Sequence, residues 1–205
     1  MNARIRTLVR TPWFWGLVGI VLLLAINTIK DPTYLAIGIN PTTGLLAGNV
    51  LDILRVSSPI IMIALGMTFV IATSGIDLSV GSIMAVGGAV AMVTLSEIGQ
   101  AESFGAMAAA IGLAVLLGAV LGSINGLLVS VVGLQPFIST LVMMLAARGI
   151  ARVITGGQNT NATNGPFKQI ANGQFFGLPI SFVVAIALVI IVALIMRRPA
   201  LGLMI

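Results

Sequence analysis

TSGIDLSVGS, Thr73 to Ser82, separates two apolar runs: SSPIIMIALGMTFVIAT (Ser57 to Thr73) and a Gly- and Ala-rich run from Gly81 to Leu95. Both runs are apolar enough to lie in lipid, yet between them stands Asp77, one of only 5 acidic residues in the chain. An Asp at the centre of a spanning helix costs about 2.5–3.5 kcal/mol on insertion scales, so this group is either kept out of the hydrocarbon or used within it. Two readings follow from the residues. In one, the stretch is a tight turn in which Asp77 or Ser79 caps the next helix. In the other it is a broken helix, with Gly75 and Gly81 releasing the backbone and Thr73, Ser74, Ser79 and Ser82 partnering the freed polar groups.

The composition supports the lipid reading. Of 205 residues, 59% are hydrophobic and 7% charged, far below the roughly 25% charge of a soluble domain. The fold class expected is all-α, a polytopic membrane helix bundle within one domain over residues 1–205. Its spans are read at about 13–29, 57–73, 81–95, 105–132, 137–154 and 178–196, counted from an N-terminus on the inside. Arg4, Arg6, Arg10, Arg197 and Arg198 then share one side, as the positive-inside rule asks. Trp13 and Trp15 fit an interfacial belt at the cytoplasmic end of the first span. Residues 30–56 read as an outside loop ending in a short amphipathic helix with an Asp52–Arg55 pair, and Pro59 sits near the start of the second span, where a missing N–H is tolerated. Thr155 to Gly177 lacks apolar periodicity and reads as a surface loop or re-entrant segment. Asn161-Ala162-Thr163 within it matches a glycosylation acceptor, a weak three-residue signal.

Several chemistries lack their residues. With no Cys and no His, thiolate sites, the commonest metal ligand and the commonest general base are missing. No cofactor or metal is expected. The only lysines, Lys30 and Lys168, follow Ile29 and Phe167 rather than glycine, so no phosphate-cradling loop is present. An intramembrane hydrolase needs a second carboxylate or a base near Asp77 and finds neither in sequence. The net charge of +5 lies at the ends of apolar runs and not on one polar face, which argues against nucleic acid. Solute movement is the better reading. Gly118, Gly122, Gly126 and Ser130 form a ridge one helical turn apart, as do Gly81, Ala85 and Ala89; both read as helix packing. Asn125 needs a partner in lipid, and Arg148 and Arg152 share one helical face near its end.

SGIDLSVGS (Ser74 to Ser82), the preceding ALGMTFVIATSG (Ala64 to Gly75) and QPFISTLVMMLAARG (Gln135 to Gly149) resemble the permease subunits of the ribose-type family of bacterial ABC sugar importers. With ARGIARVITGGQ and RRPALGLMI, the combination is most similar to the galactofuranose-importer permeases. The resemblance implies a permease subunit moving a monosaccharide across the bacterial inner membrane. It implies cytoplasmic ATP-binding subunits that hydrolyse ATP, a periplasmic sugar-binding protein and a second permease, identical or not. The chain itself is then no enzyme. Thr73, Ser74, Asp77, Ser79, Asn125, Gln135 and Thr140 are the pathway candidates, hydrogen-bonding groups suited to a neutral sugar. Family members continue past RRxxLG into a cytoplasmic coupling loop and further spans, so the chain is expected to be a truncated, split or mispredicted product. The alternatives are a self-contained secondary transporter or channel, or an inactive permease fragment.

Overall fold

The computed structural model describes residues 9–98, 103–161 and 164–197. Arg4 and Arg6, Glu102, the Ala162-Thr163 part of the glycosylation triplet, Arg198 and the RxxLG end of the chain lie outside them. The chain divides into two compact units, Met1–Val56 and Ser57–Ile205.

In the first unit, α1 (Pro12–Lys30) opens with proline at its first position and buries no residue. The polar side chains inside it turn back on their own helix: Asn27 Nδ2 donates to the Leu23 carbonyl and Thr28 Oγ1 to that of Leu24, each at 2.8 Å. Such back-bonding satisfies polar groups where water is scarce. Beyond its end, the hydroxyl and then the backbone N–H of Thr33 bond Asp31 and hold its carboxyl below the usual carboxylate range. A small antiparallel hairpin, β1 (Gly38–Ile39) with β2 (Leu46–Ala47), occupies the expected loop. It closes at Gly48, whose φ is +148° and where an added Cβ would stand 2.5 Å from the Ala36 carbonyl oxygen. Gly48→Ala is therefore expected to destabilise this unit by about 1–3 kcal/mol, through strain at a special backbone position. Faster proteolysis between residues 36 and 48 checks it; an unchanged cleavage rate would remove the claim.

Helix α2 (Asn49–Ala72) is longer than the expected second span. The amphipathic segment from Asn49 and the apolar run from Ser57 form one helix, and Pro59 sits in its interior. Proline there removes one i→i−4 bond yet does not stop the helix. The Asp52–Arg55 pair forms at 3.2 Å on the exposed side, where such a pair adds a few tenths of a kcal/mol at most.

In the second unit, α3 (Val80–Ile98), α4 (Phe104–Ser130) and α5 (Pro136–Ile154) pack together, with α3 touching both of the others. The α3–α4 seam is made of small side chains. Ala91 and Leu95 meet Ala106 and Ala110 in a buried cluster, and Gly87 lies so near α4 that an added Cβ would be 3.6 Å from Ala114. Without a hydrophobic drive between helices in lipid, close approach and dispersion hold such seams. Ser82, Val86 and Ala89, on the opposite face of α3, are buried as well. Gly81 and Ala85, expected on a packing ridge, are exposed.

The polar segment after α5 contains more regular structure than its composition predicts: α6 (Gly165–Asn172) and a hairpin of β3 (Gln174–Phe175) with β4 (Leu178–Pro179), leading into α7 (Ile180–Met196). Asn164 explains α6. Its Oδ1 accepts from the Phe167 N–H at 2.9 Å, while its Nδ2 donates at 3.0 Å to the carbonyl of Ser103, itself the cap of α4. Among the described residues, α1 to α5 are long and apolar enough to cross a membrane; α7 is apolar but shorter, at 17 residues.

Candidate functional site

Helix α2 ends at Thr73 and Ser74. The Ser74 N–H bonds the Ile71 carbonyl and the Gly75 N–H the Val70 carbonyl, both at 2.9 Å. This is the paired closing pattern that places one residue in the left-handed region. That residue is Ser74, at φ 59°, and not the neighbouring glycine. Gly75 is needed for space, since a Cβ there would come within 3.2 Å of Val70.

Helix α3 begins from Ser79, whose carbonyl receives the N–H groups of Ser82 and Ile83. Asp77 acts one step before the helix: its Oδ1 accepts the Ser79 N–H at 2.7 Å and the Ser79 hydroxyl at 2.6 Å. The stretch is thus both a capped turn and an interruption between helices. Asp77→Asn keeps an acceptor at Oδ1 and should preserve the turn, whereas Asp77→Ala should lower stability by about 1 kcal/mol, the usual worth of a capping oxygen. Denaturant titration of the purified chain checks the order; equal losses for both variants would show that the acceptor is not what matters.

Ser79 is fully buried, and a line of hydrogen bonds runs through it. Ser139 Oγ, in the first turn of α5, donates to Asn125 Oδ1 at 3.2 Å. Asn125 Nδ2, in the last third of α4, donates to Ser79 Oγ at 2.9 Å, and Ser79 passes its own proton toward Asp77. Alongside, Thr140 Oγ1 reaches the Ile76 carbonyl at 3.2 Å and the Pro136 carbonyl at 2.8 Å. One amide and three hydroxyls therefore join α3, α4 and α5 to the interrupted stretch. A buried amide without partners would cost several kcal/mol in hydrocarbon; here both of its ends are occupied.

Beside this line lies a cavity of about 320 Å³. Thr73, Asp77, Asn125 and Thr140 give it polar groups, and Val70, Ile76 and Val129 apolar wall. Gly122 and Gly126 also line it, and a Cβ at either would meet no heavy atom within 4 Å. Of the expected packing ridge only Gly118 has such a neighbour, Ile83 Cγ2 at 4.0 Å. At Gly122 and Gly126 the small residues border open space. Of the sequence candidates, the structure brings together Thr73, Asp77, Ser79, Asn125 and Thr140. Ser74 and Gln135 are exposed and take no part in the cavity lining. Ser139 was not anticipated. Its signal is adjacency to Thr140: neighbours in a helix differ by about 100°, so one faces α4 while the other faces the Ile76 carbonyl. Its polar groups are one carboxyl, one amide and two hydroxyls, from Asp77, Asn125, Thr73 and Thr140, all able to hydrogen-bond.

Residues 49–205 match a family described as branched-chain amino acid transport system / permease component. The chain is 48% identical over 208 residues to the fructose import permease protein FruF of Bifidobacterium longum, covering 100% of this chain and 57% of that protein. It is 35% identical to the galactofuranose transporter permease protein YtfT of Escherichia coli K12, over 92% of this chain and 53% of that one. The ribose import permease protein RbsC of the same strain is 40% identical over 71% of this chain and 40% of its own length. No solved structure gives a significant match. The chain spans about half the length of the curated relatives it matches. Spanning-length apolar helices and family together make it a multi-pass membrane protein. With more than half its length inside the matched region and near half its residues shared with a sugar permease, the chain belongs to the branched-chain amino acid transport system / permease component family.

Proposed function

We propose that the chain forms part of the membrane pathway of an ATP-binding-cassette importer for a monosaccharide. The observation that carries this reading is the cavity of about 320 Å³ edged by Asp77, Asn125 and Thr140. Its volume is at the low end of small-molecule sites, about 300–1,000 Å³, and it has the usual mix of apolar wall and few placed polar groups. The relatives named for fructose, galactofuranose and ribose import support a sugar as cargo. On this reading the N-terminus is cytoplasmic and the membrane is the bacterial inner membrane. ATP is hydrolysed by separate cytoplasmic subunits, a periplasmic sugar-binding protein delivers substrate, and a second permease, identical or not, completes the pathway.

Uptake of radiolabelled fructose, galactofuranose and ribose into vesicles tests it, with the chain in its native transporter. Uptake that requires ATP inside and the binding protein outside is expected. Dependence on an ion gradient instead would favour a secondary transporter, and the ABC assignment would be withdrawn. For the pathway itself, Asp77→Ala inserted at normal level should slow uptake; a wild-type rate would remove Asp77 from the pathway.

A further inference from the structure

A second cavity, of about 580 Å³, lies between α3 and the end of α5, and Arg148 and Arg152 both line it. The lining contains no carboxylate. Among the described residues, neither guanidinium has an ion-pair or hydrogen-bond partner. Arg152 stands in the last turn of α5, where a cation offsets the partial negative charge of the helix end. Arg148 is a turn deeper, outside the reach of that effect, and like charges four residues apart on a helix repel. An anion between them would relieve the repulsion. Thr155, Gln158 and Asn159 supply further hydrogen-bonding groups around the cavity, and Gly88 on α3 leaves it room.

The neighbouring surface says which anion. Leu145 and Ile138 lie on the Arg152 side of α5, about two and four turns toward its N-terminal end, and are 62% and 50% exposed. A charged cleft continued by an apolar strip along a spanning helix is the shape of a lipid: phosphate at the guanidiniums, hydrocarbon along Leu145 and Ile138. We propose that the Arg148–Arg152 cleft binds the phosphate of an anionic phospholipid. This goes beyond the transport reading and does not depend on it: loss of one result leaves the other standing.

The test uses the 205-residue chain in detergent, equilibrated with vesicles of equal phosphatidylglycerol and phosphatidylcholine, with bound lipid read by native mass spectrometry. Phosphatidylglycerol should be retained about tenfold over phosphatidylcholine, as two charge-assisted contacts warrant. The Arg148→Gln/Arg152→Gln double variant should lose the preference. Arg148→Lys/Arg152→Lys should keep most of it, which separates lost charge from a misfolded chain. Equal retention of both lipids, or a preference that survives the glutamine pair, overturns the proposal. Two competitors decide the source of the anion. Inorganic phosphate that displaces the lipid and raises the melting temperature unaided reassigns the cleft to a soluble anion. Displacement by an acidic peptide at equal concentration reassigns it to protein docking.

Discussion

Asn125→Leu is expected to lower the stability of the chain by about 2–3 kcal/mol, because it strands a buried hydroxyl and cuts the tie among three helices. Ser139 is 2% exposed and gives its proton to Asn125 Oδ1, so a leucine leaves that donor with no acceptor there. Ser79 loses the amide that reaches it from α4, though it keeps its bond to Asp77. Hydrogen bonds between membrane helices average only about 0.6 kcal/mol in double-mutant cycles, since the unfolded chain in lipid also finds partners. The larger figure here comes from the stranded groups, not from the bond itself. Ser139→Ala, which removes a donor without stranding one, should therefore lower stability by less than about 1 kcal/mol. Unfolding of the purified chain in mixed micelles gives both values. Were the serine variant the worse of the two, the amide could not be the centre of the network.

Gly122→Leu should have the opposite character, abolishing sugar uptake while leaving the fold intact. A Cβ at Gly122 meets no heavy atom within 4 Å, and the residue lines the cavity. A leucine there projects four carbons into a space of about 320 Å³, across from Asp77 and Thr140. Replacing an interior helical glycine with leucine also favours the helix by roughly 0.5–1 kcal/mol. The expected pattern is a loss of uptake of tenfold or more with stability equal or higher, which a misfolded variant cannot show. Gly118→Leu is the contrast: Ile83 Cγ2 is 4.0 Å from its Cβ position, so steric strain against α3 should appear first as lost stability. Vesicle uptake and unfolding, measured on the same preparations, separate these outcomes. Full uptake by Gly122→Leu would mean that sugar does not pass this cavity.

Long apolar periodicity placed α1, α4 and α5 to within a residue or two of their observed ends, because twenty apolar residues in a row admit few structures. The weight on Thr73 to Ser82 was also legible, since an isolated carboxyl between apolar runs demands satisfaction. Three features were not. Ser57-Ser58-Pro59 looked like a boundary but lies inside α2, where Ser58 Oγ finds Ser181 across the fold at 3.3 Å, a partner 123 residues away. A four-residue small-residue period marks a face of α4 without saying whether a helix or a void lies opposite, and at Gly122 and Gly126 it is a void. Glycine also misled at the end of α2: Gly75 suggested the special backbone position, which Ser74 takes instead. Asn164-Gly165-Pro166 did announce α6, with a capping side chain and a proline at the second helical position, but the surrounding Gln and Asn obscured it.

Asp77 Oδ1 receives both the backbone and the side chain of Ser79, and Ser79 receives Asn125, which in turn receives Ser139. The start of α3, the last third of α4 and the first turn of α5 are thus linked in one hydrogen-bonded line that ends at the Asp77 carboxylate. Helix α2 joins them through Thr73 to Leu78, which holds no helical turn. That six-residue link is itself tied to α5, where Thr140 meets the Ile76 carbonyl: the carboxyl that borders the cavity also sets the path by which the chain passes from α2 into α3.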